Sequence, residues 1–501
     1  MFIIAVQACS RAGDLKVDSK AEQNGLRKNT LGLWTLVALS MGSIYPLAFA
    51  VSNGAGAVVY AGFAAPIVPI IAAIAILVVS IPAIVFSKHV SFAGGYYGFT
   101  EKGLGKGIGK FVAITNLWYY IVMDVVSVVA VSYILSTALS AIYGYTLPIY
   151  LFVIIALIAT VLMFLFTVFN VKLSGRSALI VVGIQILIVV IYSLIVIIRT
   201  PYNSIQAFNV ARAPAGVSGV MLAAVTAGFL FFTGYGAPFY FAEESNTPKE
   251  TVWKSVILSI IILAIVSVFV TYAEVVAVGL PNAASLANDW NPAVVAFLPF
   301  IGTAGVLLFL IIALTGQVWA GIIGGMSGAR LIYAMARDKF LFPKRFAMLD
   351  TKRKTPVTAA LFELGVTSVL SIISPLVLVS VYGYSNGIFY SLFLFGALTT
   401  FMWVIQHLLA DTALPFYFHK IGIKLSNLKT ISIAIIPTIV AGILFVYADI
   451  RGYVGIGEPY LLGLLVIFVL LIFSVIYIVI KHIRGTLYSL VSIEDNLKDE
   501  K

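Results

Sequence analysis

The sequence predicts an all-α polytopic membrane protein of twelve transmembrane helices, with helices 1 and 6 broken. Three observations predict it. The 501-residue chain is 61% hydrophobic and only 10% charged, far from the balance of a soluble domain. Many apolar runs reach the roughly 20 residues needed to cross a bilayer. Two of those runs, five apart in order, are interrupted by glycine and proline, which weaken a helix and, for proline, remove a backbone donor.

In chain order, hydrophobic periodicity and run length place the spans at about 33–60, 66–87, 111–142, 147–169, 177–199, 217–241, 252–279, 300–327, 356–379, 385–407, 430–448 and 458–480. Residues 1–30 read as a polar cytoplasmic tail, 31–484 as a single membrane domain and 485–501 as a second cytoplasmic tail. The short apolar run Phe2–Val6 has no basic stretch before it and does not read as a cleaved signal.

Charge sets the expected orientation. With the N-terminus in the cytoplasm, 28 of the 31 Lys and Arg residues fall on the cytoplasmic side, and only Arg199, Arg212 and Arg451 fall outside. That asymmetry is the positive-inside pattern, so both termini are expected in the cytoplasm. The net charge of +11 is therefore a topology signal and does not imply a nucleic-acid partner. Cys9 is the only cysteine, and the four histidines are scattered. No disulfide, metal centre or cofactor is expected.

Spans 1 and 6 are an odd number apart and so cross in opposite directions. Spans 1–5 (about 33–199) and 6–10 (about 217–407) are expected to form two inverted repeats, with the helices at about 430–480 as additions. Matched broken spans point to a substrate site at mid-membrane. Span 1 offers Gly42, Ser43, Ile44, Tyr45 and Pro46. Freed amides there, with the positive end of the following half-helix, favour an anion. The alternative is a simple kink at Pro46. Span 6 offers Phe231, Phe232, Thr233, Gly234 and Tyr235. Carbonyls freed over Phe231–Gly234, at the negative end of a half-helix, suit an ammonium group. Phe231, Phe232 and Tyr235 are candidates to cap a ligand's side chain, or else ordinary core rings.

Asp124, Glu274 and Glu363 lie inside or near spans. An intramembrane acid is a functional candidate because charge is costly there; a hydrogen-bonded structural acid is the alternative. Glu243 and Glu244 follow span 6, while Arg330 and Arg337 follow span 8. Their pairing would make an inner gate; a solvated loop is the other reading.

Three cytoplasmic motifs complete the pattern: Ser91-Phe92-Ala93-Gly94-Gly95-Tyr96-Tyr97, Ala242-Glu243-Glu244-Ser245-Asn246-Thr247-Pro248-Lys249, and the run Ser327–Asp338. Together, over roughly residues 30–480, the chain resembles the amino acid–polyamine–organocation superfamily of amino-acid permeases. The resemblance implies a five-plus-five inverted repeat, leucine-transporter-like, working as a secondary active transporter in the plasma membrane. It implies a substrate carboxylate on the Gly42–Pro46 backbone and an amino group on the Phe231–Gly234 carbonyls. The implied partners are a small-molecule substrate, an amino acid, and the lipid bilayer, with no oligomeric state specified. An amine or polyamine carrier, or an exchanger, is the alternative within the superfamily. An ion channel would need a continuous polar path and an enzyme would need clustered nucleophiles, and the spans offer neither.

The chain departs from the pattern at Pro46, where many relatives have glycine. The Leu47 or Ala48 amide is expected to compensate. Where some proton-coupled relatives carry a span 5 lysine, this chain has Gln185, which cannot titrate, and no span is expected to hold a deep lysine. A sodium site would draw on span 1 oxygens and the Thr315 hydroxyl. The coupling ion is thus H+ or Na+.

Overall fold

The computed structural model describes residues 25–168, 171–287, 291–447, 450 and 457–489. Cys9, most of the N-terminal tail, Arg451 and the end of the C-terminal tail lie outside them. The described chain is all-helical, with one isolated bridge between Leu31 and Ser245.

Among the described residues, eleven stretches are long and apolar enough to cross a membrane. The first, Leu33–Ser87, has 55 residues and takes in both expected spans 1 and 2. It consists of α1 (Leu33–Ile44), α2 (Gly54–Ala61) and α3 (Val68–Ser87). There follow α4 (Tyr96–Leu104), α5 (Lys106–Tyr143), α6 (Ile149–Thr167) and α7 (Val171–Arg199). Span 6 is divided into α8 (Gly216–Ala223), α9 (Phe229–Phe232) and α10 (Ala237–Tyr240). Then come α11 (Pro248–Val278), α12 (Pro292–Arg337), α13 (Val357–Tyr382) and α14 (Tyr384–Lys420). The last two are α15 (Asn427–Phe445) and α16 (Tyr460–Ile483).

Four boundaries or placements differ from the sequence expectation. The motif before span 3 leads into a further helix: its last two residues, Tyr96 and Tyr97, begin α4, which follows Gly95 at φ 53. Span 8 does not stop near residue 327. The run from Ala329 to Ala336 holds no helix breaker, so α12 carries Arg330 and Arg337 on its last turns. Lys110, expected in a cytoplasmic segment, lies inside α5 with a side chain of 0% exposure. Its ammonium is held by Asp338, by the Tyr97 hydroxyl and by Glu101 at 3.2 Å, which offsets the cost of burying it. The expected gap between spans 9 and 10 shrinks to Gly383, whose φ of 77 ends α13 and starts α14.

Burial sorts the helices. The most apolar window of α14 is 72% buried and that of Gly216–Tyr240 61%, against 22% for both α15 and α16. The helices that carry the expected site are therefore central, and the last two are peripheral. On α16, Leu465, Phe468, Ile472, Phe473 and Ile476 are all exposed. Such a face is stable only in a hydrocarbon solvent.

Close backbone approach holds α4 to α14. A side-chain carbon added at Gly103 would lie 2.1 Å from the Ala413 carbonyl oxygen. Gly103→Val must part the two helices at about 1–3 kcal/mol. It is expected to lower the melting temperature of the detergent-extracted protein, read by thermal shift with size-exclusion detection.

Candidate functional site

The break in span 1 centres on Tyr45. Its φ of 72 and ψ of 98 lie in a region that a bulky residue rarely enters, a strain of about 1–3 kcal/mol that typically marks a functional position. Helix α1 stops at Ile44, with the Tyr45 amide on the Met41 carbonyl at 2.9 Å. Pro46 brings no amide, so the chain is interrupted here and not merely kinked. Helicity resumes through a π turn at Phe49–Asn53. The Ala48 amide is taken by the Tyr45 carbonyl at 3.0 Å. Of the two amides expected to compensate for Pro46, that leaves Leu47.

Span 6 behaves differently. It passes from a π turn at Ala224–Gly228 through α9 into a 3-10 turn at Thr233–Gly236. Every residue of that turn keeps a negative φ, so span 6 tightens where a full interruption was expected. Its glycines serve close approach. A side-chain carbon at Gly234 would lie 2.8 Å from the carbonyl carbon and oxygen of Ser43. At Gly236 it would lie 2.9 Å from the Tyr96 hydroxyl. The two interrupted spans thus meet backbone to backbone.

A cavity of about 110 Å3 opens at this contact. Ser43, Ile44 and Tyr45 line it from span 1, and Phe231, Thr233 and Gly234 from span 6. Met123, Val126 and Ser127 of α5, Gln317 and Ala320 of α12, and Leu392 and Phe393 of α14 supply much of the remaining wall. Gly42, Pro46, Phe232 and Tyr235 are not on the wall. Phe231 is packed edge-on against Phe49 at 4.9 Å, which joins the two spans beside the cavity.

The freed carbonyls are partly spoken for. The Thr233 carbonyl accepts from the Tyr119 hydroxyl and from Trp403 Nε1, each at 2.9 Å. Both its lone pairs are engaged, so it has none to offer an ammonium. The Tyr235 carbonyl accepts from Ser40 Oγ at 3.0 Å. The Tyr235 hydroxyl lies 3.3 Å from that of Tyr96 and 3.2 Å from His407 Nε2, fully buried. Tyr119, Trp403, Ser40 and His407 escape sequence reasoning. Tyr119 alone had a signal, in the Trp118-Tyr119-Tyr120 run ahead of Asp124.

The remaining candidates scatter. Gln185 reaches the span 1 break: its Oε1 and a ring carbon of Tyr45 both lie 2.6 Å from a side-chain carbon built at Gly316. Glu274, buried on α11, brings a carboxyl oxygen within 3.3 Å of the same construction at Gly54 in α2. Asp124 sits behind the cavity wall with Glu363 beside it. Thr315 is exposed and gives its hydroxyl to its own helix, on the Ile311 carbonyl at 2.6 Å. It is far from the role expected of it, because a hydroxyl in an apolar helix is satisfied locally.

Beyond the cavity, Glu244 and Arg330 form a buried bidentate pair, with a second N–O contact of 3.1 Å. Arg337 and Glu243 pair at 2.7 and 3.3 Å. The Thr30 and Leu31 amides cap the Glu244 carbonyl at 3.0 and 3.1 Å. Burial raises the Glu244 carboxyl above the usual carboxylate range, and the Arg330 guanidinium pulls it back down.

Two substitutions follow from this geometry. Gly234→Leu drives a side chain into the Ser43 carbonyl. It is expected to abolish transport while leaving membrane insertion intact, measured by uptake alongside membrane-fraction yield. Arg330→Ala strands the Glu244 carboxylate in a dry site, at a cost of about 3–5 kcal/mol. The double variant Arg330→Met with Glu244→Leu is expected to recover most of that loss in a thermal-stability assay.

A family model described as amino acid permease matches residues 31–480. The chain is 26% identical over 378 residues to the branched-chain amino acid permease BcaP of Bacillus subtilis (strain 168), covering 70% of this chain and 76% of that protein. It is 28% identical over 328 residues to an uncharacterized protein of Methanocaldococcus jannaschii, covering 62% and 70%. With a family model spanning nearly its whole membrane region, the chain belongs to the amino acid permease family.

Proposed function

We propose that this protein is a secondary active transporter that carries amino acids with apolar side chains across the plasma membrane by alternating access. The observation that carries the reading is the cavity at the contact of Gly234 with Ser43. One end of it is polar, with the Ser43 and Tyr45 hydroxyls free of protein partners. The α1 break supplies the positive end of the following half-helix for a carboxylate. The Phe231 carbonyl is the acceptor for the amino group, since the Thr233 carbonyl is already saturated. The other end is apolar, with Met123, Val126, Leu392 and Phe393, and suits an aliphatic side chain. No carboxylate lines the cavity, which favours a zwitterion over a polyamine. The similarity to a branched-chain amino acid permease points the same way.

The same reading uses twelve crossings. The 55-residue Leu33–Ser87 stretch is too long for one pass at 1.5 Å per residue, and it breaks at Gly62 with φ 55. Two inverted repeats then carry the broken spans, and both termini face the cytoplasm. The Glu244–Arg330 and Glu243–Arg337 pairs form the inner gate, which must part when the site opens inward.

A panel of labelled amino acids presented to proteoliposomes tests the substrate class. Leucine, isoleucine and valine are expected to be taken up and to compete with one another at least tenfold better than lysine or glutamate. Uptake or exchange of no amino acid would refute the proposal.

A further inference from the structure

Helix α12 carries Gly321, Gly324, Gly325 and Gly328 at spacings of three and four residues or adjacent, so it presents a hollow face. Two carboxyls fill the hollow from either side. A side-chain carbon at Gly324 would lie 1.9 Å from Asp124 Oδ1, on α5. One at Gly325 would lie 3.3 Å from both Asp124 Oδ2 and Glu363 Oε2, the latter on α13. The two carboxyls thus face each other across Gly325, and both residues have 0% exposure. Thr367, one turn along α13 and fully buried, has no hydrogen-bond partner for its hydroxyl.

No ion pair reaches either acid among the described residues. Arg330, on the same helix as the glycines, is committed to Glu244 and to the Met326 carbonyl at 2.9 Å. The other groups around the site are neutral: Tyr119 and Tyr120 on α5, Tyr240 on α10, Ser327 on α12, and Met163 from α6. Two adjacent carboxyls in a dry site without a counter-charge cannot both ionise. One shared proton both removes a charge and supplies the missing hydrogen bond.

We infer that Asp124 and Glu363 form a proton-binding carboxyl pair, outside the substrate cavity, that couples amino-acid movement to proton movement. The inference rests on the transporter reading and adds its coupling ion. The pair is wired to the cavity by short steps: Ser127, three residues from Asp124, lines the cavity, as do Gln317 and Ala320 on the glycine-bearing helix. A polar row supplies the route. Thr367, Ser371 and Ser374 follow Glu363 on α13 at helical spacing, and none has a hydrogen-bond partner for its hydroxyl. Asn116, two turns before Asp124 on α5, is buried with neither amide atom bonded. In the proposed orientation a proton enters past the α13 hydroxyls, joins the pair, and leaves past Asn116 to the cytoplasm. One proton is gained outside and one lost inside per cycle, so the pair returns to its starting state.

The test uses the purified full chain in proteoliposomes without sodium. A pH gradient, acid on the uptake side, is expected to raise labelled leucine accumulation at least tenfold in the wild type. Glu363→Gln is expected to lose that gradient-driven accumulation while leucine–leucine exchange persists, and the persisting exchange reports that the variant is folded. Should that variant fail to fold, Asp124→Asn and a trapped pH dye in wild-type vesicles give the second measurement: leucine entry must acidify the lumen. A wild type that exchanges leucine but ignores the gradient, or a Glu363→Gln variant that accumulates like wild type, overturns the inference alone. A wild type that exchanges no amino acid overturns the transporter reading and the inference with it.

Discussion

The structure depends on one close approach, the backbone of Gly234 against the backbone of Ser43 and Ile44. In hydrocarbon every backbone polar group needs a partner, so an interrupted helix is stable only where protein or a wet cavity meets it. Here Ser40 of α1 takes the Tyr235 carbonyl, and Tyr119 of α5 and Trp403 of α14 take the Thr233 carbonyl. Any residue larger than glycine at 234 would hold the spans apart and leave freed groups facing lipid-like surroundings. The cavity exists because the two spans meet at their weakest points.

Charge is distributed by the same logic. The ion pairs that are buried gather at one end of the domain: Lys110 with Asp338 and Glu101, Arg330 with Glu244, and Arg337 with Glu243 close by. Each acid there has a basic partner, and Phe241 covers the Arg330 guanidinium at 4.3 Å. Deeper in, the acids have none. Paired charges gather at that end, and carboxyls without a basic partner occupy the dry interior, where burying an unpaired charge is costly.

Much of this was legible in the sequence. Run length locates most of the helices, because a bilayer imposes it, but the ends of spans 8 and 10 run on by ten and thirteen residues to Arg337 and Lys420. The breaks in spans 1 and 6 were legible from glycine and proline alone. Their different character was not. Pro46 invited doubt about span 1, yet that span has the sharper interruption, since a proline after Tyr45 leaves no donor to continue the helix. Two glycines in span 6 read as freed backbone, yet they mark a neighbour's approach and keep negative φ. Thr315 failed because one hydroxyl in an apolar helix carries no directional information. Trp403 and His407 were invisible, since nothing in a single span says which distant carbonyl a side chain will find. Lys110 misled for a related reason: its partners Glu101 and Asp338 lie 9 and 228 positions away along the chain.

The double engagement of the Thr233 carbonyl has a consequence for the movement of span 6. Tyr119 and Trp403 hold one oxygen from two different helices. Span 6 cannot shift against α5 or α14 without stranding at least one donor in a dry environment, at about 1–3 kcal/mol per group. With one or both donors stranded, the loosened arrangement is thereby confined to somewhere between about 15 per cent and less than about one part in ten thousand of the molecules at rest. A single oxygen atom thus works as a latch that ties span 6 to two neighbouring helices at once.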